Sequence, residues 1–136
     1  MENQQQIKPE TSFSLKKEER LSSKKIIDQL FAEGKSFISF PVKVVFLPTP
    51  LPANFPVQAG FSVSKKIFKR AVKRNRIKRL LREAYRLNKH ILYNNLNDKQ
   101  LAVFFVYIGK ELPAYASVEA SIKKALHSIL KRSEES

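Results

Sequence analysis

Twelve lysines and arginines stand between Lys65 and Lys89, and that stretch holds a single acid, Glu83. Such side chains do not make or break bonds by themselves. They hold phosphate: a guanidinium presents a planar fork of donors that bonds two oxygens at once, and an ammonium supplies a point charge. The cations are Lys65, Lys66, Lys69, Arg70, Lys73, Arg74, Arg76, Lys78, Arg79, Arg82, Arg86 and Lys89. With Glu83 subtracted they carry +11 of the formal net charge of +14, so the rest of the 136-residue chain is close to neutral. A localised patch on an otherwise balanced chain suits a polyanionic partner. A solvated helix face would mix its signs to gain i,i+4 pairs and avoid self-repulsion. The stretch "AVKRNRIKRLLREAYR", Ala71 to Arg86, does not do so.

Residues for a self-contained active site are scarce. The chain has no cysteine and two histidines, His90 and His127. It shows no Gly-rich phosphate loop, no metal-ligand spacing and no carboxylate pair. Acids are too sparse beside the patch for two-metal nuclease chemistry within this chain. No apolar run is long enough to span a bilayer, and "MENQQQIKPE" lacks the apolar stretch of a secretory signal. The lack of cysteine fits a reducing compartment. The expectation is a cytoplasmic protein with no membrane partner. An anionic membrane surface suits it poorly, because the apolar stripe of the basic helix is needed for the fold.

The elements that must position the patch follow from periodicity. Residues 1–12 read as a polar, disordered tail, 13–132 as one domain and 133–136 as a C-terminal tail. Ser22 or Ser23 caps a first helix whose stripe is Ile26, Ile27, Leu30 and Phe31, and Gly34 ends it. "KSFISFPVKVVFL" reads as strand, with a break or edge position at Pro41. The proline-rich "PTPLPANFP" is a stiff loop expected to join two antiparallel strands. "VQAGFSVS" is the next strand, and the basic helix covers roughly Lys69 to Asn88. "LAVFFVYI" is a continuous apolar strand for a central position. Ser117 caps a last helix with Ile122, Ala125, Leu126 and Ile129 on its buried face. The order α-β-β-α-β-α predicts an α/β (α+β) two-layer sandwich: a small mixed sheet with about three helices.

At about 100° per residue, Ile77, Leu80, Leu81, Ala84, Leu87 and Asn88 share one side of the basic helix. Asn75, Lys78, Arg79, Arg82 and Arg86 share the other, with Arg74 and Arg76 on the flanks. Charge alone leaves DNA and RNA both open as partners.

The stretch "GFSVSKKIFKRAVKRNRIKRLLREAYR", Gly60 to Arg86, resembles the signature region of the bacterial ribonuclease P protein subunit. The elements that carry the resemblance are Val63-Ser64-Lys65-Lys66, Ala71-Val72, Arg74-Asn75-Arg76, Lys78-Arg79 and Arg82-Glu83. "RLSSKKIIDQLFAEGKSF" is also similar to the family's first helix and strand, and element order agrees over about Phe13 to Arg132. The resemblance implies a subunit of a holoenzyme, probed through its RNA partner rather than through an active site of its own. It implies binding to a catalytic RNA that removes the 5′ leader of precursor transfer RNA, one protein per RNA, with magnesium bound mainly by the RNA. It also implies a left-handed βαβ crossover and a separate cleft for the single-stranded leader, between the sheet and the first helix.

On that basis Lys73, Arg74, Asn75, Arg76, Lys78, Arg79, Arg82 and Arg86 are expected to hold the catalytic RNA. Asn75 either bonds a base edge or 2′-hydroxyl or caps the helix start. Lys65, Lys66, Lys69, Arg70 and Lys43 are the candidate leader cations, with Phe31 and Phe46 as stacking platforms. Core packing is the competing role for each Phe, and a merely solvated position for Lys43. The chain departs from the family pattern at Ile27, where an aromatic is common, at Gln58, where Arg is common, and at Phe68, where Gly is common. "YIGKELPAY" also lacks the family's usual Arg. The competing function is a generic RNA- or DNA-binding protein, ribosomal or nucleoid-associated, with no part in transfer-RNA processing.

Overall fold

A computed structural model describes residues 14–134. The expected N-terminal tail, 1–12, lies outside the described residues. Helix α1, Lys24–Glu33, begins where Ser23 accepts a hydrogen bond from the Ile26 amide, 3.3 Å away. It ends at Gly34, whose amide bonds the Leu30 carbonyl. A Cβ on Gly34 would lie 2.9 Å from the Phe46 carbonyl oxygen, so close approach to the sheet requires glycine there.

Two strands follow, β1 (Lys35–Ser39) and β2 (Val42–Pro48), antiparallel and joined at Phe40–Pro41, so Pro41 does break the apolar run. After the proline-rich loop come β3 (Val57–Val63), helix α2 (Ala71–Asn88), the single turn α3 (His90–Tyr93), β4 (Leu101–Tyr107) and α4 (Tyr115–Glu134). The sheet order is β1-β2-β4-β3. Strand β4 is central, antiparallel to β2 and parallel to β3, so β3, α2 and β4 form a βαβ unit. Strands β2 and β3 run in opposite directions, as expected, but are not neighbours, because β4 lies between them. The proline-rich loop is therefore a crossover rather than a hairpin.

Helices α2 and α4 cover one face of the sheet. Val42, Val44 and Phe46 of β2, Val57, Ala59 and Val63 of β3, and Leu101, Val103, Phe105 and Tyr107 of β4 meet Ile77, Leu81, Ala84 and Tyr85 of α2 and Val118, Ile122, Ala125, Leu126 and Ile129 of α4. Helix α1 lies across part of the other face, over Val45 and Ala102, with Leu21, Leu30, Ile26, Ile27, Leu47 and Phe104. The last helix starts at Tyr115, so Ser117 falls inside its first turn rather than capping it. It continues past the expected domain limit at 132, because Ser133 is buried and bonds the Ile129 carbonyl.

The chain before α1 is fastened to both layers. Arg20 makes a parallel bridge to Ala59, and the Gln58 side chain donates to the Glu18 carbonyl over 2.9 Å. Glu19, 1% exposed, pairs with Lys89 and accepts from the Tyr93 hydroxyl; Lys89 also donates to the Ser14 carbonyl. Lys89 is thus a buried structural cation and not part of the surface patch. Burial pushes the Tyr93 and Tyr85 phenols far up, and the Glu19 charge adds to both.

Candidate nucleic-acid interface

Helix α2 carries no acid in its first turn and buries Ile77, Leu81, Ala84, Tyr85 and Asn88. Tyr85 was not among the expected core residues. Its ring lies 5.8 Å from Phe61 and 5.6 Å from Phe105, filling the space between helix and sheet. Leu80 and Leu87 are only half-buried. The buried arc is rotated by about 40° from the expected one, toward Tyr85. The solvent side turns with it: Asn75, Arg76 and Arg79 are exposed, while Lys78 and Arg82 sit at the boundary, half-buried; Lys73 is exposed in the first turn, and Arg86 is half-buried where it pairs with Glu83.

The candidate phosphate ligands are therefore unequal. Arg76 and Arg79 are exposed, with no ion pair to a carboxylate among the described residues. Arg86 makes two bonds to Glu83, the shorter 2.6 Å, and that pairing holds the Glu83 carboxyl below the ordinary carboxylate range. Arg74 is half-buried and bonds the Phe68 and Lys69 carbonyls at 2.8 and 2.7 Å, fastening the β3–α2 turn to the helix. Asn75 does not cap the helix, whose N-cap position is Arg70. Lys65, Lys66, Lys69 and Arg70 are all exposed in the turn between β3 and α2.

A second feature lies on the opposite face of the sheet. Alternation along β2 puts Lys43, Val45 and Leu47 on the α1 side and Val42, Val44 and Phe46 on the other. Lys43 is exposed beyond the end of α1 cover. Phe46 is 1% exposed and packs edge-on against Phe37 in the main core, so it is not available for stacking. Phe31 is 51% exposed, and its ring lies 5.3 Å from that of Phe104. Phe104, not foreseen as a site residue, is the aromatic partner that Phe46 is not. Gly60 makes room for it: a Cβ there would lie 2.5 Å from the Phe104 ring. The signal was strand parity, which sets Phe104 opposite Phe105. Val106 and Ser62, half-buried, continue the same face beside Lys43.

The departures at Ile27, Gln58 and Phe68 are structural. Ile27 packs under α1 against the sheet, Gln58 clamps the preceding chain, and Phe68 is buried against Tyr107, 6.1 Å between rings. Among the described residues, no group of three or more His, Cys, Asp or Glu could hold a metal ion. No helix among them is long and apolar enough to cross a membrane.

A mixed sheet with a one-sided cationic helix on one face and the part-exposed Phe31–Phe104 pair on the other suits a nucleic-acid-binding α+β domain. Residues 15–132 match the family model described as Ribonuclease P. The ribonuclease P protein component of Porphyromonas gingivalis is 44% identical over 118 residues, covering 85% of each chain. That of Chlorobium phaeobacteroides is 35% identical over 128 residues, covering 85% of this chain and 88% of its own. The solved ribonuclease P protein from Thermotoga maritima shares the fold at a TM-score of 0.65, with 24% identity over 81% of this chain and 96% of that one. The Staphylococcus aureus protein does so at 0.63, with 22% identity over 82% and 94%. The chain belongs to the ribonuclease P protein family, and is a subunit in transfer-RNA processing.

Proposed function

We propose that this chain binds the RNA of ribonuclease P, one to one, through the exposed face of α2, and the 5′ leader of precursor transfer RNA through the cleft between α1 and the sheet. The RNA performs the hydrolysis in the cytoplasm, with magnesium bound by its own phosphates. The carrying observation is the solvent side of α2, where Lys73, Asn75, Arg76 and Arg79 stand exposed and Glu83, the helix's one acid, is engaged by Arg86. The protein's part is to neutralise packed phosphates so that RNA and metal assemble at lower magnesium. On the cleft side, Phe31, half exposed and tilted 58° to the Phe104 ring, offers an aromatic face, and Lys43 offers a charge two residues along the same sheet face. Those are the two elements that hold a single strand without reading its sequence.

The test is charge reversal. Arg76→Glu with Arg79→Glu is expected to abolish assembly with the RNA, measured by gel shift, while circular dichroism and thermal unfolding stay those of the native chain. Normal assembly by that variant contradicts the assignment of α2. A generic nucleic-acid binder would bind any RNA with similar salt sensitivity and would not stimulate 5′ cleavage.

A further inference from the structure

Among the described residues, one exposed aromatic has no part in the surfaces assigned so far. Phe40, at the β1–β2 turn, is 70% exposed, and Ile38 on the neighbouring strand end is 62% exposed. Scattered surface apolar residues need no explanation, but three observations set this pair apart. The backbone beneath Phe40 is pinned from two sides. The Ser121 hydroxyl of α4 donates to the Phe40 carbonyl over 2.8 Å, the Ser39 hydroxyl donates to the Ser121 carbonyl, and the Ile108 amide donates to the Pro41 carbonyl over 2.8 Å. The ring is left in solvent on an anchored base, which is how a preorganised contact is built.

The pair also continues the cleft. Ile38 is in register with Lys43, Lys43 with Val106 and Val106 with Ser62, so Ile38 lies on the same sheet face as Lys43 and Phe104. From Phe104 to Ile38 is two residues along the strands and two strands across, a distance of about 12 Å. Finally, cations line the hollows at Phe40. Lys110, together with Glu111, lines a hollow of about 690 Å³ between Phe40 and the start of α4, and Lys124 lines a second hollow that shares Phe40 and Ser121 with it. Lys65 and Lys66 follow the strand end that is in register with the same turn. An apolar knob for a second protein has no need of cations around it, whereas a base with its phosphates does.

We infer that Phe40, backed by Ile38, is an additional stacking site for an unpaired base of single-stranded RNA, one that extends the path from Phe31 and Phe104 past Lys43 to the sheet edge. The inference rests on the reading of the cleft as the leader site. Its ligand is a leader nucleotide farther from the cleavage point than, or nearer to it than, those at Phe31, and leader length tells which leaders reach it.

The experiment uses the holoenzyme reconstituted with a bacterial ribonuclease P RNA and precursor transfer RNAs whose leaders lengthen one nucleotide at a time. Affinity is measured for the native chain, Phe40→Ala and Phe40→Tyr. The native chain is expected to gain affinity with length in two stages. Phe40→Ala should lose only one of these, by roughly fivefold or more, the worth of one base stack. Phe40→Tyr should keep both. Affinities of Phe40→Ala that parallel the native chain at every length overturn the platform while leaving the cleft intact. A native chain indifferent to leader length overturns both the platform and the cleft. A Phe40→Ala loss that is equal at all lengths and accompanied by lost self-association in sedimentation assigns the surface to a second copy of this chain and overturns the inference.

Discussion

At the scale of the residue, similar side chains have been given different work by where they sit. Phe31 and Phe46 are both aromatic residues near a strand or helix end, yet one is half out of the protein and the other is sealed in its core. Phe46→Ala is expected to cost about 3–5 kcal/mol of stability through the cavity it leaves, measured by urea unfolding. Phe31→Ala should leave stability nearly unchanged and weaken binding of long-leader substrates selectively; equal weakening for leaderless substrate would contradict a stacking role. Arg76 and Arg79 face solvent, Arg86 is engaged by Glu83, and Arg74 holds two backbone carbonyls. Replacing Arg79 with Ala should therefore lower the salt slope of RNA binding by about one unit. Replacing Arg74 should instead loosen the β3–α2 turn, visible as a fall in unfolding temperature.

At the scale of the element, α2 and the cleft are tied together through the chain that precedes α1. Glu19 reaches the Lys89 ammonium at the end of α2, and Gln58 and Ala59 of β3 hold the same segment. Lys89→Ala would leave the Glu19 carboxylate buried without its partner, a loss of about 3–5 kcal/mol. Lys89→Met combined with Glu19→Gln, which removes both charges, should recover much of it; no recovery in urea melts would show that the pair matters for more than its charge balance. Most elements were legible in the sequence because each carries its own period. Ser23 and Gly34 bracket α1, Pro41 splits the first strand run, and Ile122, Ala125, Leu126 and Ile129 all reach the core. What local pattern does not contain is which strand lies beside which. The insertion of β4 between β2 and β3 is a long-range choice, and the role of Lys89 depends on Glu19, seventy positions earlier. The candidate site divides the same way. The cations were visible as charge, but the helix rotation that favours Arg76 and Arg79 depends on how Tyr85 packs on Phe61 and Phe105. Phe104 lay hidden in a run apolar on both faces, where only parity separates it from Phe105.

At the scale of the whole molecule, a +14 chain concentrates cations on α2 and the turn before it, and sets the Phe31–Phe104 pair on the other side of the sheet. Under the proposed function, that separation would let one domain hold two RNA segments at once, a folded one by its phosphates and an unpaired one by its bases. The most direct measurement is reconstitution: the purified chain mixed with a bacterial ribonuclease P RNA at low magnesium, with 5′ cleavage of a precursor transfer RNA followed over time. The account predicts a large protein-dependent gain in cleavage that shrinks when the leader is trimmed to a stub. No gain, together with equally salt-sensitive binding to unrelated RNAs, would contradict it.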